Sequence, residues 1–340
     1  MGNCCASNTD YSKKEIDSLV LIQSYFRVNG SSSESNGYGK NHLSVHGPNS
    51  AQKQKPETIE KLPQFQLGPK DLDLENPNAV NRVYIDEFKD VGDGRLYKGQ
   101  WNKKTGERDG LGIQFWPDGS KYEGMWKKDK ANGKGRMTHA NGDIYEGNWK
   151  DDKADGQGLF IDTNGAKYEG DWLDDMQHGN GLETWDNGGA RYQGQFFKGK
   201  KHGKGRFDWE DGSYYEGDFV DGQFQGFGKY YFADLDKIYQ GEFRMSNMEG
   251  RGQELWSDGR KYDGDFKNGK KDGEGTFEWP NGNKYIGSWK KGKQHGIGIW
   301  ASAKEGTKRQ GEWVEGKRHR WISGIEMLAQ PSPTRGGQRL

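Results

Sequence analysis

Hydrophobic positions in this chain come singly and in alternation. The longest apolar run is Leu19 to Ile22. Across the second and third hundred residues one five-residue pattern recurs, Tyr-x-Gly-x-Trp or Phe, with mostly Glu, Gln or Asp at the first x. It begins at Tyr97, Tyr122, Tyr145, Tyr168, Tyr192, Tyr215, Tyr239, Tyr262 and Tyr285, at spacings of 25, 23, 23, 24, 23, 24, 23 and 23. Its central glycines are Gly99, Gly124, Gly147, Gly170, Gly194, Gly217, Gly241, Gly264 and Gly287. Period-two alternation places ring, glycine and ring on one face of a β-strand and the polar residues on the other. The glycine between two aromatics leaves a cross-strand ring room to lie flat on the backbone.

From the second copy onward, Gly-x-Gly follows eleven residues after each Tyr, from Gly133/Gly135 to Gly296/Gly298; the first pair, Gly110/Gly112, is two residues late. A second strand is expected to begin at each pair. It ends at an Asx-Gly step such as Asp118-Gly119, Asn141-Gly142, Asn164-Gly165, Asn187-Gly188 or Asn281-Gly282. Asx-Gly supplies the two positive-φ positions of a type I′ turn, so each unit reads as a β-hairpin. A lone hairpin is marginal in water, and neighbours must stack to bury the rings. The fold class expected is all-β, an elongated single-layer antiparallel sheet of stacked hairpins. At about 4.8 Å per strand, ten units make a ribbon roughly 95 Å long.

Composition fits such a ribbon. The 340 residues are 30% apolar and 30% charged, and the mean hydropathy is -1.18. Those values alone suggest a chain too polar for a core. Yet 54 glycines, 13 Trp, 16 Tyr and 15 Phe supply few buried residues that each bury a large area. Fifty-one cationic and 51 acidic residues cancel, which removes a global basic field as a reason to bind nucleic acid. No run approaches the ~18 residues of a membrane-spanning helix, and no apolar signal-peptide core follows Met1.

The repeat resembles the MORN family (membrane occupation and recognition nexus) over residues 94–320. There are nine full copies and a degenerate tenth at Gln310-Gly311-Glu312-Trp313 that runs into Lys317-Arg318-His319-Arg320. Asp234-Leu235 replaces one Asx-Gly step and Asn187-Gly188-Gly189 extends another, so bends are expected there.

Outside the array, Met1-Gly2-Asn3-Cys4-Cys5 reads as an acylation signal over residues 1–9, with Gly2 for myristate and Cys4 and Cys5 for palmitate. Ala6 departs from the usual Ser or Thr. These are the only two cysteines, and they can neither staple a fold nor form a Cys-based zinc site. Residues 12–28 read as a short amphipathic helix opened by the capping box Ser12-Lys13-Lys14-Glu15. Ile22, Gln23 and Arg27 resemble the front half of an IQ motif, which implies a calmodulin-like partner; the second basic half is absent. Residues 29–93 read as a mostly flexible linker, with Val80 to Phe88 a candidate capping strand, and 321–340 as a tail.

Candidate chemistry is sparse. Gly-x-Gly lies between strands, with no Gly-Lys-Ser or Gly-Lys-Thr after it, and is no phosphate cradle. His178, His202 and His295, each before a glycine pair, read as solvated loop residues and not as a metal cluster. About 20 residues follow the array and about 93 precede it. The expectation is therefore a chain without enzyme activity, metal or cofactor.

The resemblance (junctophilins, radial spoke head proteins, cytoskeletal MORN proteins of apicomplexans and kinetoplastids) implies a scaffold at the cytoplasmic face of a membrane, in a cilium or cortical cytoskeleton. Protein partners and an acyl-chain membrane contact are expected, without nucleic acid and with homodimerisation left open. The alternative is an array that itself binds phosphoinositide. Net charge alternates by segment: +6 over 95–141, -9 over 142–187, +3 over 188–211, -5 over 212–258 and +7 over 282–320. Acidic blocks would repel an anionic bilayer lying along the whole array, which leaves Lys290, Lys291, Lys293, Lys317, Arg318 and Arg320 as the candidate anionic-lipid contact.

Overall fold

A computed structural model describes residues 65–67, 81–185 and 189–328. The acylation signal with Gly2, Cys4 and Cys5, the helix expected over 12–28 with Ile22, Gln23 and Arg27, and the Asn187-Gly188 step lie outside the described residues. The described chain is all-β, with 22 strands in open antiparallel array and no α-helix. It divides into two compact units. One holds the described residues up to 210 with 219–222, and the other holds 211–218 and 223–328.

The first unit runs β1 (Arg82–Asp90), β2 (Leu96–Asn102), β3 (Arg108–Phe115), β4 (Lys121–Lys127), β5 (Lys130–Thr138), β6 (Ile144–Lys150), β7 (Lys153–Ile161), β8 (Lys167–Leu173), β9 (Met176–Trp185), β10 (Ala190–Phe197) and β11 (Lys200–Asp208). Each strand pairs antiparallel with the next. β12 (Tyr214–Val220) follows. The second unit continues with β13 (Gln223–Phe232), β14 (Lys237–Arg244), β15 (Asn247–Trp256), β16 (Lys261–Lys267), β17 (Lys270–Glu278), β18 (Lys284–Lys290), β19 (Lys293–Ser302), β20 (Thr307–Val314), β21 (Lys317–Trp321) and β22 (Glu326–Met327). β13 to β21 pair in sequence, and β22 returns to β20.

In each unit the core is a file of rings. Tyr145 lies along its own strand over Gly147 and that residue's cross-strand partner Gly158, and its hydroxyl donates to the Asn148 carbonyl at 2.9 Å. A Cβ on Gly158 would stand 2.6 Å from the Tyr145 ring, and one on Gly147 would stand 2.5 Å from the Gly158 Cα. Tyr285 repeats this over Gly287 and Gly298, donating to Ser288 at 2.9 Å. The ring on the central glycine is thus the tyrosine two residues upstream on the same strand, and the expected cross-strand ring is corrected. Two facing glycines make the flat bed it needs.

Each Tyr but Tyr215 is held edge-on by the fifth-position ring of its own repeat and of the next; Tyr215 meets Phe243 of the next repeat edge-on and stacks on Phe224 at 3.7 Å. Tyr145 meets Trp149 and Trp172 at 5.1 Å each. Tyr262 meets Phe266 and Trp289 at 5.2 Å each. Such pairs add about 0.5–1.5 kcal/mol beyond the area they bury. The indole N–H of Trp149 reaches the Gly135 carbonyl one repeat back at 3.0 Å, as Trp289 reaches Gly275 at 3.2 Å. Trp101, in the first repeat, has no preceding glycine pair, and its indole N–H has no partner among the described residues.

The two ends of the hairpins use different turns, and the turn assignment is reversed from the one expected. At Asp118-Gly119 only the glycine has positive φ; Gly119 N–H donates to Trp116 at 3.0 Å, and Trp116 N–H to Ser120 at 3.0 Å. That is a type I turn with a G1 bulge. Its Asx side chain accepts the N–H two residues on, 2.8 Å for Asp118 and Ser120. The type I′ turns lie at the opposite ends, where both central residues have positive φ: Lys128-Asp129, Asp151-Asp152, Asp174-Asp175, Lys198-Gly199, Asn268-Gly269, Lys291-Gly292 and Glu315-Gly316 among them. From the second repeat onward the second strands accordingly begin three residues before the first glycine of the pair, as β5 does at Lys130 ahead of Gly133. That first glycine sits in a bulge. Gly273 has φ +117, and a Cβ there would stand 2.7 Å from the Asp265 carboxylate, which instead accepts the Glu274 N–H at 2.9 Å.

Candidate binding surface

The repeat residues are structural. Tyr97, Tyr122, Tyr145, Tyr168, Tyr192, Tyr215, Tyr239, Tyr262 and Tyr285 are all buried. Burial pushes the hydroxyls of Tyr97, Tyr122, Tyr168, Tyr192, Tyr215, Tyr239 and Tyr285 well above the ordinary tyrosine range. They are neutral donors to backbone carbonyls and offer nothing to a ligand.

Slots between the rings tolerate charge when it is paired. In the first unit Lys201 lies 4.6 Å over the Trp185 ring and pairs with Glu183 at 2.7 Å. Arg108 lies 4.2 Å over Trp126 and pairs with Asp129 at 3.0 Å. In the second unit Glu254 is enclosed by Lys237, at 2.8 Å, and Lys271. All three are buried. Burial opposes ionisation of Glu254, but the two ammonium groups outweigh it and hold the carboxyl down at about 2.

What remains exposed are the face opposite the Tyr rings and the turn edges. On that face in the first unit, Phe65 sits against the Arg136 guanidinium at 5.4 Å, and Glu146 braces Arg136 through its Nε at 2.7 Å. At the type I′ edge of the same unit Leu173, Met176, Phe197 and Val220 are exposed. His178 and His202 flank the Phe197 ring at 5.4 and 5.7 Å. They stand on strands β9 and β11 and His295 on β19, half-buried, which corrects their reading as solvated loop residues. Among the described residues no group of three or more His, Cys, Asp or Glu is placed to hold a metal.

The candidate cations divide. Lys290 and Lys293 oppose each other across a type I′ turn that contains Lys291. Lys317 opens the return strand of the neighbouring turn. The turns stack through Gly292 N–H to the Lys271 carbonyl at 2.8 Å and Gly316 N–H to Gln294 at 2.9 Å. Arg318 lies 4.4 Å over the Trp321 ring, and Arg320 pairs with Glu312 at 2.7 Å; both are exposed. Sequence reading missed Lys267 and Lys270. They oppose each other at the turn before Lys290, where Gly269 N–H donates to the Met248 carbonyl at 3.0 Å. The 23-residue separation that hides them is the repeat length itself.

Comparison with known proteins bears on the array. The MORN repeat model matches residues 97–121, 122–144, 145–167, 168–190, 192–214, 215–237, 239–259, 262–284, 285–307 and 310–320. No curated protein matches the chain. Among solved structures, the SAS-4 (dCPAP) TCP domain of Drosophila melanogaster, in complex with a proline-rich motif of Ana2, is similar at 14% identity. The match covers 67% of this chain and 99% of that one, with a TM-score of 0.24. A mutant TCP10 domain of Danio rerio CPAP is similar at 11% identity over 62% of this chain and 99% of that one, with a TM-score of 0.26. The ten matched segments span more than half of the sequence. This chain belongs to the MORN repeat family.

Proposed function

We propose that this protein is a non-catalytic scaffold, held to a membrane by acyl chains on Gly2, Cys4 and Cys5, whose MORN array recruits protein partners. The observation that carries the reading is how the array spends its side chains. Tyr, Trp, Phe and both glycines of each repeat are consumed by the ring file, and the exposed residues are those of the edges and the polar face. That is the economy of a repeat binding module, and the family match supports a module that binds protein or associates with membrane. The IQ-like residues Ile22, Gln23 and Arg27 add a calmodulin-like protein as a partner class. Cytoskeletal or ciliary partners at a cytoplasmic membrane face follow from family likeness.

Fractionation of native cells tests the anchor. Gly2→Ala should shift the protein from membrane to soluble fractions, because one acyl chain binds reversibly and two anchor stably. Unchanged fractionation, or full membrane retention of Cys4→Ser/Cys5→Ser, sinks the two-chain anchor. Proximity labelling with and without Gly2 tests the scaffold. Recovery of the same proteins from both forms would show that the membrane does not organise the partners.

A further inference from the structure

One edge of the second unit carries an arrangement that costs stability without helping the fold. At the turns 267–270 and 290–293, Lys267 faces Lys270 and Lys290 faces Lys293 directly across an antiparallel pair. Like charges in that position repel. Lys291 lies in the second of these turns and Lys317 on the next, and all six lysines are exposed. The only carboxylate within the three turns is Glu315, which touches Lys293 at 3.4 Å. Asp272 is engaged by the Lys291 backbone N–H at 3.0 Å, and Glu249 by that of Asn268 at 2.9 Å.

The first unit shows the same pairing with more carboxylate beside it. Lys127 faces Lys130 and Lys150 faces Lys153. Their turns, however, contain Asp129, Asp151 and Asp152, and Lys153 pairs with Asp174 at 2.9 Å. Gly269 and Gly292 stand where Asp129 and Asp152 stand. The first unit has one such turn, Lys198-Gly199 with Lys200, but its neighbours carry Asp174-Asp175 and Asp221, so a run of consecutive lysine turns with glycine in that place is found only in the second unit among the described residues.

We infer that this lysine edge is the docking site for an acidic, extended segment of a partner protein. The inference rests on the scaffold reading and names the chemistry of its partner. Shape decides the class. Turns of consecutive hairpins are two strand spacings apart, about 10 Å, so three turns make a row of roughly 20 Å that is one turn thick. A chain extended at about 3.3 Å per residue covers that row with six or seven residues. A bilayer needs a plane, and beside the row lies a groove lined by Glu242, Glu249, Asp265 and Asp272 with Arg244 and Lys267. Its carboxylates would meet an anionic surface that lay flat on the sheet.

The test uses the full-length chain and a fluorescent hepta-glutamate peptide, followed by anisotropy at low and near-physiological salt. Binding should weaken steeply with salt. Lys290→Glu/Lys291→Glu/Lys293→Glu should lose at least tenfold, and Lys290→Gln/Lys291→Gln/Lys293→Gln should lose several-fold. Lys127→Glu/Lys130→Glu in the first unit should change affinity by less than twofold, with all variants folded as the wild type by circular dichroism. No measurable affinity, or equal loss from edge changes in either unit, overturns the site. Tighter binding to phosphatidylserine vesicles or to a single-stranded oligonucleotide than to the peptide overturns the partner class. If the peptide fails while proximity labelling still recovers Gly2-dependent partners, the scaffold stands and only this docking chemistry falls.

Discussion

The two units share one backbone device and differ in what fills the places it leaves open. Where an aspartate is the second residue of a type I′ turn in the first unit it serves twice, whereas Gly199 of the same unit only donates, to Gln177 at 2.9 Å. Asp152 donates its N–H to the Ala131 carbonyl at 3.0 Å, and its carboxylate accepts the Ala131 N–H at 2.7 Å. Asp175 does the same with Ala154, at 3.0 and 2.7 Å. In the second unit Gly292 and Gly316 keep the donation and lose the carboxylate. The stacking survives with one bond fewer, and the lysines beside it lose their counter-charges. The slot beside the ring varies inside each unit: Ala131 and Ala154 hold it in the first unit, where Lys201 also enters it and pairs with Glu183, and in the second unit Lys271 occupies it and joins Lys237 and Glu254. The ring file sets the backbone, and charge is varied in the slots and turns around it.

The largest break in that comparison is expected at Glu254. Glu254→Gln leaves two buried ammonium groups around a neutral amide and should cost about 3–5 kcal/mol, the range for removing one partner of a buried pair. The apolar replacement Lys237→Met/Glu254→Leu/Lys271→Met should be close to neutral or stabilising, because it removes every buried charge at once. Urea unfolding distinguishes them. A loss under 1 kcal/mol for Glu254→Gln would mean that the triad is solvated. The same group sets a pH dependence. Its folded carboxyl titrates at about 2 against an ordinary 4.5, so its contribution is complete above about pH 4.5 and is lost as pH falls toward 2. The apolar triple variant should lose that part of the acid sensitivity.

Next in size is the ring bed, which both units should feel alike. A Cβ on Gly170 meets the Asn180 carbonyl oxygen at 2.5 Å, and one on Gly287 meets the Gly298 Cα at 2.5 Å. Valine at either position should cost about 2–3 kcal/mol through overpacking against backbone that cannot swing away. Unequal losses in thermal unfolding would show that the file is not the common element claimed.

The sequence made the ring file legible because its constraint is local. Tyr, Gly and Trp or Phe at alternate positions, with a second glycine pair at fixed distance, admit one strand pairing. The turn chemistry was misread because Asx-Gly carries the stronger hairpin signature. The true type I′ turns at Lys128-Asp129, Asp151-Asp152 and Asp174-Asp175 contain no glycine at all, and their positive φ is sustained by stacking on the preceding repeat. The lysine edge was half visible. Lys290, Lys291 and Lys293 are neighbours in sequence, whereas Lys267 and Lys270 join them only through pairing. Segment charge sums describe the chain lengthwise, and the fold collects charge along its edges. Phe65 against Arg136 had no sequence signal, since nothing in a linker-like stretch marks which ring finds a cation.

The smallest expected effect is also the most direct conversion of one unit into the other. Asp152→Gly removes the bond from Ala131 N–H, worth about 1 kcal/mol, and glycine recovers part of that because positive φ suits it better than aspartate. The net loss should be at most about 1 kcal/mol by urea unfolding. A loss above 2 kcal/mol would mean that the carboxylate does more than close that bond. The electrostatic consequence is the sharper one. Asp129→Gly/Asp152→Gly leaves Lys127, Lys128, Lys130 and Lys150 on adjacent turns with Asp151 as the remaining turn carboxylate, which approaches the pattern at 267–293. The double variant should therefore bind a second equivalent of hepta-glutamate at low salt, with weaker affinity than the first. Stoichiometry that stays at one would place the cause of the lysine edge elsewhere than in the turn residue, and the contrast between the two units would have to be drawn from their cores.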